Sequence, residues 1–322
     1  MIRLLFSFFA FALILSCGSE ENNSMRFDKL NSPHFITESI ELEKGVDFIV
    51  EAGAHLIISD GVELSLKGRV IMIGTKSDSI IIDPLTPGVG WNRLVLKSDF
   101  SKLVMSHVRM TDGIIMSLGT ENDIQNCVFH NSQDLDWESA MVRCLGGSLH
   151  ISSCKFYGIN LAEGLLVHNI IDANIRSNYF YKTSDAIELI GSAYGRIHDN
   201  VIEFPGDDGI DLNNCKYVDI NDNVIENAGD SGMEIGSENF GSTMETYLED
   251  NIILDCEKGI WLKESSNAYV LENRFENNGI AVEIITNPDS IEVSSITLEQ
   301  CDFINNLKDV KQDDRSKVEI IN

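Results

Sequence analysis

Acidic side chains recur at a regular spacing in the second half of this sequence, and they are the residues best suited to chemistry. Glu188, Asp211 and Glu234 follow one another at intervals of 23 residues. Calcium in proteins takes about six to eight oxygen ligands, often from flexible sets of carboxylates. The candidate metal ligands are Glu188, Asp207, Asp208, Asp211, Asp230 and Glu234. The alternative interpretation is a hydrated acidic stripe that binds no ion.

The same stretch holds candidates for catalysis and for sugar binding. A lyase acting by β-elimination needs a base beside an acidic site, and a hydrolase needs two carboxyl groups. The candidate catalytic residues are Asp208, Asp211, Lys216 and Lys263. Trp261 is the candidate ligand-binding residue, because an exposed indole offers a flat apolar face to a sugar ring. The alternative for Trp261 is packing beneath an inserted loop at residues 236–247.

A sequence repeat must position these residues. A phrase of one small residue, one apolar residue, one variable residue and a second apolar residue recurs at intervals of 22 to 27 residues. The phrases begin at Gly113, Ala140, Gly164, Ala186, Gly209, Gly232, Gly259 and Ala281. Alternating apolar residues indicate β-strands with one buried face. Because such short strands bury little surface alone, successive repeats are expected to stack into a solenoid.

A second strand-like phrase in each repeat carries Asn or Cys at a fixed place. This column consists of Cys127, Cys154, Asn178, Asn200, Asn223, Asn251, Asn273 and Cys301. An inward-facing Asn at a turn can bond to nearby backbone groups and to its copies in adjacent repeats. Cys is a small residue that tolerates burial. We therefore predict an internal asparagine ladder whose three cysteines are buried thiols and not disulfides.

These repeats resemble the right-handed parallel β-helix of the pectate-lyase-like superfamily. The resemblance is carried by residues 51–58, 64–68, 87–91, 206–212 and 218–225, and residues 207–305 also resemble β-helical segments attached to spore-coat-kinase-like proteins. The predicted fold is all-β, a right-handed parallel β-helix (a single-stranded solenoid) of about 8–10 coils over residues 33–322. The superfamily includes lyases, hydrolases, epimerases, adhesins and inert scaffolds, so the resemblance is specific for the fold and leaves the function open.

The variable residue of the first phrase is expected to point away from the core, because side chains alternate between the two faces of a strand. These residues are Ile115, Val142, Leu166, Glu188, Asp211, Glu234, Trp261 and Glu283. The early coils would then present apolar groups to solvent, and the later coils would present carboxylates and one tryptophan. The resemblance implies calcium binding at such a surface, as in lyases of the superfamily.

The N-terminus resembles the export signal of bacterial lipoproteins. Residues 4–15 are almost wholly apolar, follow one positive charge and are too few to span a bilayer. The run ends in Leu-Ser-Cys, which predicts a signal peptide at residues 1–16 and lipidation of Cys17. Residues 17–32 are predicted to form a polar tether similar to that of Bacteroidetes-type surface lipoproteins. We therefore expect a protein of the cell envelope, held at the outer membrane by lipid alone.

The charge composition restricts the partners. The chain has 24 Lys and Arg against 51 Asp and Glu, a formal net charge of −27. Nucleic acid is excluded as a partner because phosphate binding needs clustered cations. Two functions stay open: a monomeric, non-catalytic lipoprotein that binds a polysaccharide or a surface protein, and a calcium-dependent polysaccharide lyase or epimerase. Calcium is the cofactor that the sequence suggests.

We predict that replacing Cys17 with Ala abolishes lipidation, because the thiol is the acylated group in proteins with such a signal. Intact-mass analysis of the membrane fraction should show a diacylated chain that lacks residues 1–16, and the variant should appear in the soluble fraction. A variant that stays in the membrane fraction would contradict the prediction.

Overall fold

The chain is described by a computed structural model that covers residues 23–97, 101–131 and 140–321. Within these ranges the regular secondary structure consists of β-strands alone. The strands pair in parallel from one coil to the next, which confirms the predicted parallel β-helix. Each coil has three short strands, so the solenoid has three faces.

The strands of the first face, two of which continue onto the second, are Ile40–Leu42, Glu63–Leu66, Arg93–Leu96, Ile114–Gln125, Ala140–Ser152, Glu163–His168, Ile187–Ile190, Ile210–Asn213, Ser231–Ile235, Lys258–Leu262, Ile280–Ile284 and Lys308–Gln312. Those of the second face alone are Ser24–Phe27, Asp47–Glu51, Val70–Ile73, Lys102–Ser106, Asn174–Arg176, Arg196–His198, Asp219–Asn221, Thr246–Glu249, Asn267–Leu271, Ser295–Glu299 and Lys317–Ile321. Those of the third face are His34–Ile36, His55–Ile58, Ile80–Pro84, Val108–Thr111, Val128–His130, Lys155–Tyr157, Tyr179–Tyr181, Val201–Glu203, Val224–Glu226, Ile252–Leu254, Arg274–Glu276 and Asp302–Ile304.

The third face contains 12 strands, so the solenoid has about twelve coils rather than the predicted 8–10. The additional coils lie before Gly113, where the small-residue phrase is absent from the sequence. The first coil includes Ser24–Phe27, which pairs with residues 47–50. The β-helix thus begins inside the segment predicted as a tether. The predicted signal peptide and Cys17 lie outside the described residues.

The core is a continuous stack of apolar side chains. Alternate strand residues point inward, and Ile187, Ile210 and Met233 are fully buried in successive coils. On the third face, the rings of Phe156 and Phe180 stack with their centroids 4.6 Å apart. Burial of such repeated columns is the main stabilising contribution, at about 25 cal/mol per Å² of apolar surface.

The asparagine ladder is present at the corner between the second and third faces. Asn223 Nδ2 donates to the Ile197 carbonyl oxygen (2.9 Å) and to Asn251 Oδ1 (3.0 Å). Asn223 Oδ1 accepts a hydrogen bond from the backbone N–H of Asn200 (3.0 Å). The residue before each ladder position has a left-handed conformation, as at Asp222 (φ 56°). In the five coils whose ladder residue is asparagine, the corner therefore places one left-handed residue beside one hydrogen-bonded side-chain amide.

The predicted cysteine positions are confirmed within this ladder. Cys127 and Cys154 are buried free thiols, and Cys301 is a half-buried free thiol. Burial raises the pKa of the Cys154 thiol well above its ordinary value, so that thiol stays protonated at neutral pH. The backbone amide of Cys154 donates to Asn178 Oδ1 (2.9 Å), which joins the cysteine and asparagine parts of the column.

The first two variable positions were assigned wrongly from the sequence. Ile115 and Val142 pair with each other and are fully buried, whereas the prediction placed them on the surface. In the coil that contains Val142, the outward residue is Arg143, which pairs with Leu166 in the next coil. Gly113 and Ala140 stand one place nearer the N-terminus of their strands than Gly164 and the later small residues do. A shift of one residue along a strand reverses the direction of its side chain.

We predict that Asn223→Ala lowers the free energy of unfolding by about 2–3 kcal/mol, because it leaves buried donors and acceptors of the ladder without partners. Chemical denaturation monitored by circular dichroism measures the loss. Asn223→Cys is the matched variant, since cysteine occupies this column naturally, and it should cost clearly less. Equal losses for the two variants would count against the ladder as a stabilising element.

Candidate functional site

One outward column of side chains runs along the first face and changes character from coil to coil. In order, it contains Arg143, Leu166, Glu188, Asp211, Glu234, Trp261, Glu283 and Lys311. Adjacent coils lie about 4.8 Å apart. The pairing therefore brings Glu188, Asp211 and Glu234, which are separated by 23 residues in the sequence, into one acidic row.

A second acidic row lies at the corner just before these strands. Asp185 Oδ1 accepts a hydrogen bond from the Asp208 backbone amide (2.9 Å), and Asp208 Oδ1 accepts one from the Ser231 amide (2.8 Å). Each aspartate thus holds the turn of the next coil in place. Glu163, at the start of its strand, extends this row in the preceding coil.

The two rows together form what we call the acidic cluster. Its members are Glu163, Asp185, Glu188, Asp207, Asp208, Asp211, Asp230 and Glu234. Within it, oxygen atoms of Asp208, Asp211 and Glu234 all lie within 4.8 Å of one another. The six predicted metal ligands therefore lie in one region but are divided among three sets. Asp208 joins Asp211 and Glu234 in one and Asp207 and Asp230 in another, whereas Glu188 lies with Glu163 and Asp185.

Asp208 and Asp211 are far less accessible than the sequence suggested. Both were expected to face solvent, yet Asp208 is 5% and Asp211 is 8% exposed. Their side chains leave the sheet on its outer side, but Glu234 and Asn213 pack against them. Asn213 Nδ2 donates to Asp211 Oδ2 (2.6 Å) and to Glu188 Oε1 (2.9 Å). The other oxygen of Asp211 is buried without a hydrogen-bond partner.

Burial raises the pKa values of the carboxyl groups in the acidic cluster. It raises the pKa of Asp185 to about 7. Burial, and next the charge of Glu188, raise the pKa of Glu163 to about 9. The pKa values of Asp208 and Asp211 lie well above the ordinary range, because burial and neighbouring carboxylates disfavour ionisation. The cluster therefore holds protons at neutral pH unless a cation replaces them.

Two lysines and one tryptophan border the cluster in the next coil. Lys263 Nζ lies 2.6 Å from Glu234 Oε1, and Lys258 forms an ion pair with Asp230. Both ammonium groups also lie over the Trp261 ring, 4.2 Å (Lys258) and 4.0 Å (Lys263) from its centroid. Trp261 is partly exposed, so the predicted sugar-binding residue is part of a mixed aromatic and cationic edge.

Lys216 does not share this edge. It lies at the exposed corner between the first and second faces, where it bridges to Ala193 and Met244 in the adjacent coils. Lys263 is therefore the predicted basic residue that reaches the cluster. The sequence prediction missed Lys258, Glu163 and Asn213 as site residues. The period-2 rule offered a signal for Asn213, because it follows Asp211 by two positions on the same strand.

A model of one protein family matches residues 98–319, more than two thirds of the chain, and its description is periplasmic copper-binding protein (NosD). The chain belongs to the NosD family. A search of curated protein sequences found no match. Family membership agrees with a location in the cell envelope.

Solved structures show the same fold. A mutant form of the periplasmic alginate epimerase AlgG gives a TM-score of 0.57 at 13% identity, over 89% of this chain and 75% of that chain. A double mutant of AlgG gives 0.52 at 13% identity with the same coverage. Identities this low support the parallel β-helix and nothing finer.

The side chains of the acidic cluster do not fit the copper named by the NosD family. Copper prefers thiolate, thioether and imidazole ligands. In the described ranges, the groups of three or more His, Cys, Asp or Glu side chains able to hold one ion consist of carboxylates alone. Cys215 and Cys256 are buried and donate to backbone carbonyls of the core. The carboxylate sets instead suit a hard cation such as calcium.

We predict that stability falls as pH rises from about 4 to about 9 in the absence of divalent cations. In this window the folded state retains protons on Asp185 (pKa about 7) and Glu163 (pKa about 9), whereas the unfolded chain has lost them. Stability falls wherever the native state binds more protons. Asp185→Asn should flatten the melting-temperature profile below about pH 7.

Asp219→Asn is the matched control, because Asp219 is an exposed acid on the second face. It corrects for the general loss of one negative charge. Parallel profiles for the wild type and Asp185→Asn would show that Asp185 ionises normally.

Proposed function

We propose that this chain is a lipid-anchored protein of the cell envelope whose β-helix binds a glycan through a hard cation held in the acidic cluster. The observation that carries the proposal is the Asp208, Asp211 and Glu234 triad. These three carboxylates are each less than a tenth exposed and have oxygens within 4.8 Å of one another. Such a set is stable when it is protonated or bound to a cation.

The coordination number of calcium explains why a ligand would bind here. Calcium takes about six to eight oxygens, and it accepts irregular geometry. Three carboxylates fill part of that shell, so further oxygens must come from elsewhere. Sugar hydroxyl and uronate groups are suitable donors. A cation would also remove the repulsion between an acidic glycan and a chain of net charge −27.

The neighbouring basic edge would complete the binding site. Lys258 and Lys263 already pair with Asp230 and Glu234, and both contact the Trp261 ring. A cation bound to the Glu234 carboxylate would weaken its attraction for Lys263. The freed ammonium group could then bind a uronate, and Trp261 would regain one face for a sugar ring.

A second candidate function is a polysaccharide lyase or epimerase at the same site. One observation favours it: carboxyl groups with raised pKa values lie beside Lys263, which pairs with one of them. Groups that keep a proton near neutral pH are suited to general acid catalysis. The two functions share the ligand and differ in whether the glycan changes.

Attachment through Cys17 is part of the proposal. The NosD family is described as periplasmic, which agrees with export. A lipid at Cys17 would precede the first described strand by only seven residues, counted to Ser24. The β-helix would then lie close to the membrane surface.

We predict that short oligomannuronate binds the protein in calcium and does not bind at this site in EDTA. Asp211→Asn should weaken the calcium-dependent binding by about tenfold or more, and Trp261→Ala should weaken it in the same direction. Isothermal titration calorimetry measures both. The solution is then assayed for unsaturated uronates and for epimerised units.

Asp219→Asn is the control for loss of one acid, and magnesium at equal ionic strength is the control for screening. Equal binding in calcium, magnesium and EDTA would overturn the cation-mediated mechanism. Product formation that requires Lys263 would favour the enzyme instead of the binding protein.

A further inference from the structure

A pocket with a mixed polar and apolar lining lies on the third face, away from the acidic cluster. It has a volume of about 360 Å³, and its lining includes His55, Asp83, Leu85 and Thr111. His55 Nε2 lies 3.1 Å from Asp83 Oδ2, and Arg109 Nη2 lies 3.7 Å from the same oxygen. A histidine and a carboxylate thus line the pocket, and a guanidinium group lies beside the carboxylate.

A tight loop forms one wall of this pocket. Trp91 is buried beneath the loop, and its Nε1 donates to the Thr111 carbonyl oxygen (3.2 Å). The amide of Gly88 donates to Asp112 Oδ2 (3.3 Å). These bonds fix the wall while Leu85 and Val89 remain exposed at its rim. The shape of the pocket is therefore set before any ligand binds.

A row of aromatic side chains continues from the pocket along the same face. This aromatic strip consists of His130, Tyr157, Tyr179, Tyr181 and Phe204. The His130 and Tyr157 rings stack at 4.8 Å, and the Tyr179 and Tyr181 rings lie parallel at 6.4 Å. Phe204 is 41% exposed. Partly exposed aromatic rings with polar groups at their edges are suited to sugars, which are themselves apolar on one side and polar at the rim.

The register of the strands shows that pocket and strip are one surface. His55, Arg109, Lys155 and Tyr179 follow one outward column of the third face. The column takes five steps from His55 to Tyr179, which corresponds to about 24 Å at about 4.8 Å per coil. A surface of that length accommodates several linked sugar units.

The exposed charges of this surface are cationic. Arg109, Lys155 and Lys182 are exposed, and the Lys182 ammonium group lies 5.4 Å from the Tyr181 ring centroid. The carboxylates of the same region are engaged: Asp83 by His55 and Arg109, and Glu203 by the Tyr179 hydroxyl (2.6 Å). Asp112 is 3% exposed. An acidic ligand on this surface therefore meets exposed cations directly, although the chain has a net charge of −27.

We propose that this pocket and the aromatic strip form a second binding site for an acidic oligosaccharide, one that needs no metal ion. Arg109, Lys155 and Lys182 bind the carboxylates of the sugar, and His55 and Asp83 bind its hydroxyl groups. Tyr157 and Tyr181 contact its apolar surface. This site shares the ligand class of the proposed function, but it uses a different face and a different source of positive charge.

The difference in the source of charge makes the two sites separable. The acidic cluster depends on a cation that EDTA removes, whereas guanidinium and ammonium groups are unaffected by EDTA. A hexuronate hexasaccharide titrated into the full chain in EDTA therefore reports on the third face alone. We expect binding under these conditions, measured by calorimetry, and we expect its affinity to fall as ionic strength rises.

The variant Arg109→Ala/Tyr157→Ala should weaken the binding in EDTA by about tenfold or more. Tyr247→Ala is the matched control, because Tyr247 stacks on Tyr269 at 5.4 Å on the second face. Asp211→Asn, in the acidic cluster, should leave this binding unchanged. Arg109→Glu provides a second test at a single exposed position, with melting temperatures recorded for every variant.

Three results would overturn the proposal. The first is an absence of binding in EDTA at about millimolar sugar. The second is an equal loss of affinity in Tyr247→Ala and in the double variant. The third is loss of the EDTA-resistant binding in Asp211→Asn. If only the calcium-dependent binding is missing, the proposed function of the acidic cluster fails and the second site stands. The two failures are therefore distinguishable.

Discussion

Parallel, in-register pairing of successive coils decides where every other group in this protein can lie. Neighbouring strands are about 4.8 Å apart, so each residue faces its own counterpart at that distance in the coils above and below. Inside the solenoid this repetition is favourable. Isoleucines pack on isoleucines, Phe156 stacks on Phe180, and each ladder asparagine both donates to the next amide and accepts from the previous one.

On the outer side of the first face, the same pairing places like charges next to one another. Glu188, Asp211 and Glu234 cannot separate without breaking the register that the core requires. Asn213 and Lys263 satisfy part of this charge, and burial together with the remaining charge raises the pKa values of the carboxyl groups. The in-register pairing that stabilises the core thus also places carboxylates next to one another in one region. Protonation or the binding of a cation reduces their repulsion there.

The repetition also determines how much could be predicted from the sequence. The solenoid, the ladder and the grouping of six carboxylates were predictable, because identical residue types recur at one-coil intervals. The register of the first phrases was not, since Ala140 pairs with Glu163 and not with Gly164. Burial of Asp211 depends on side chains from adjacent coils. The aromatic strip gave only a short signal, because His130, Tyr157 and Tyr181 share one register position in three coils and Glu203 takes that position in the next.

The corner that contains the asparagine ladder has a fixed length in the eight coils from Cys127 to Cys301, since each of these has one left-handed residue there, as at Ser177 and Asp222, followed by one ladder residue. An added or deleted residue at this corner would put the amides out of register. Among these coils, differences in repeat length must therefore be absorbed at the other two corners, as in the long connection at residues 236–245. Those corners border the first and third faces. Evolution of this architecture can thus reshape the rims of both candidate binding surfaces while the ladder corner stays invariant in length.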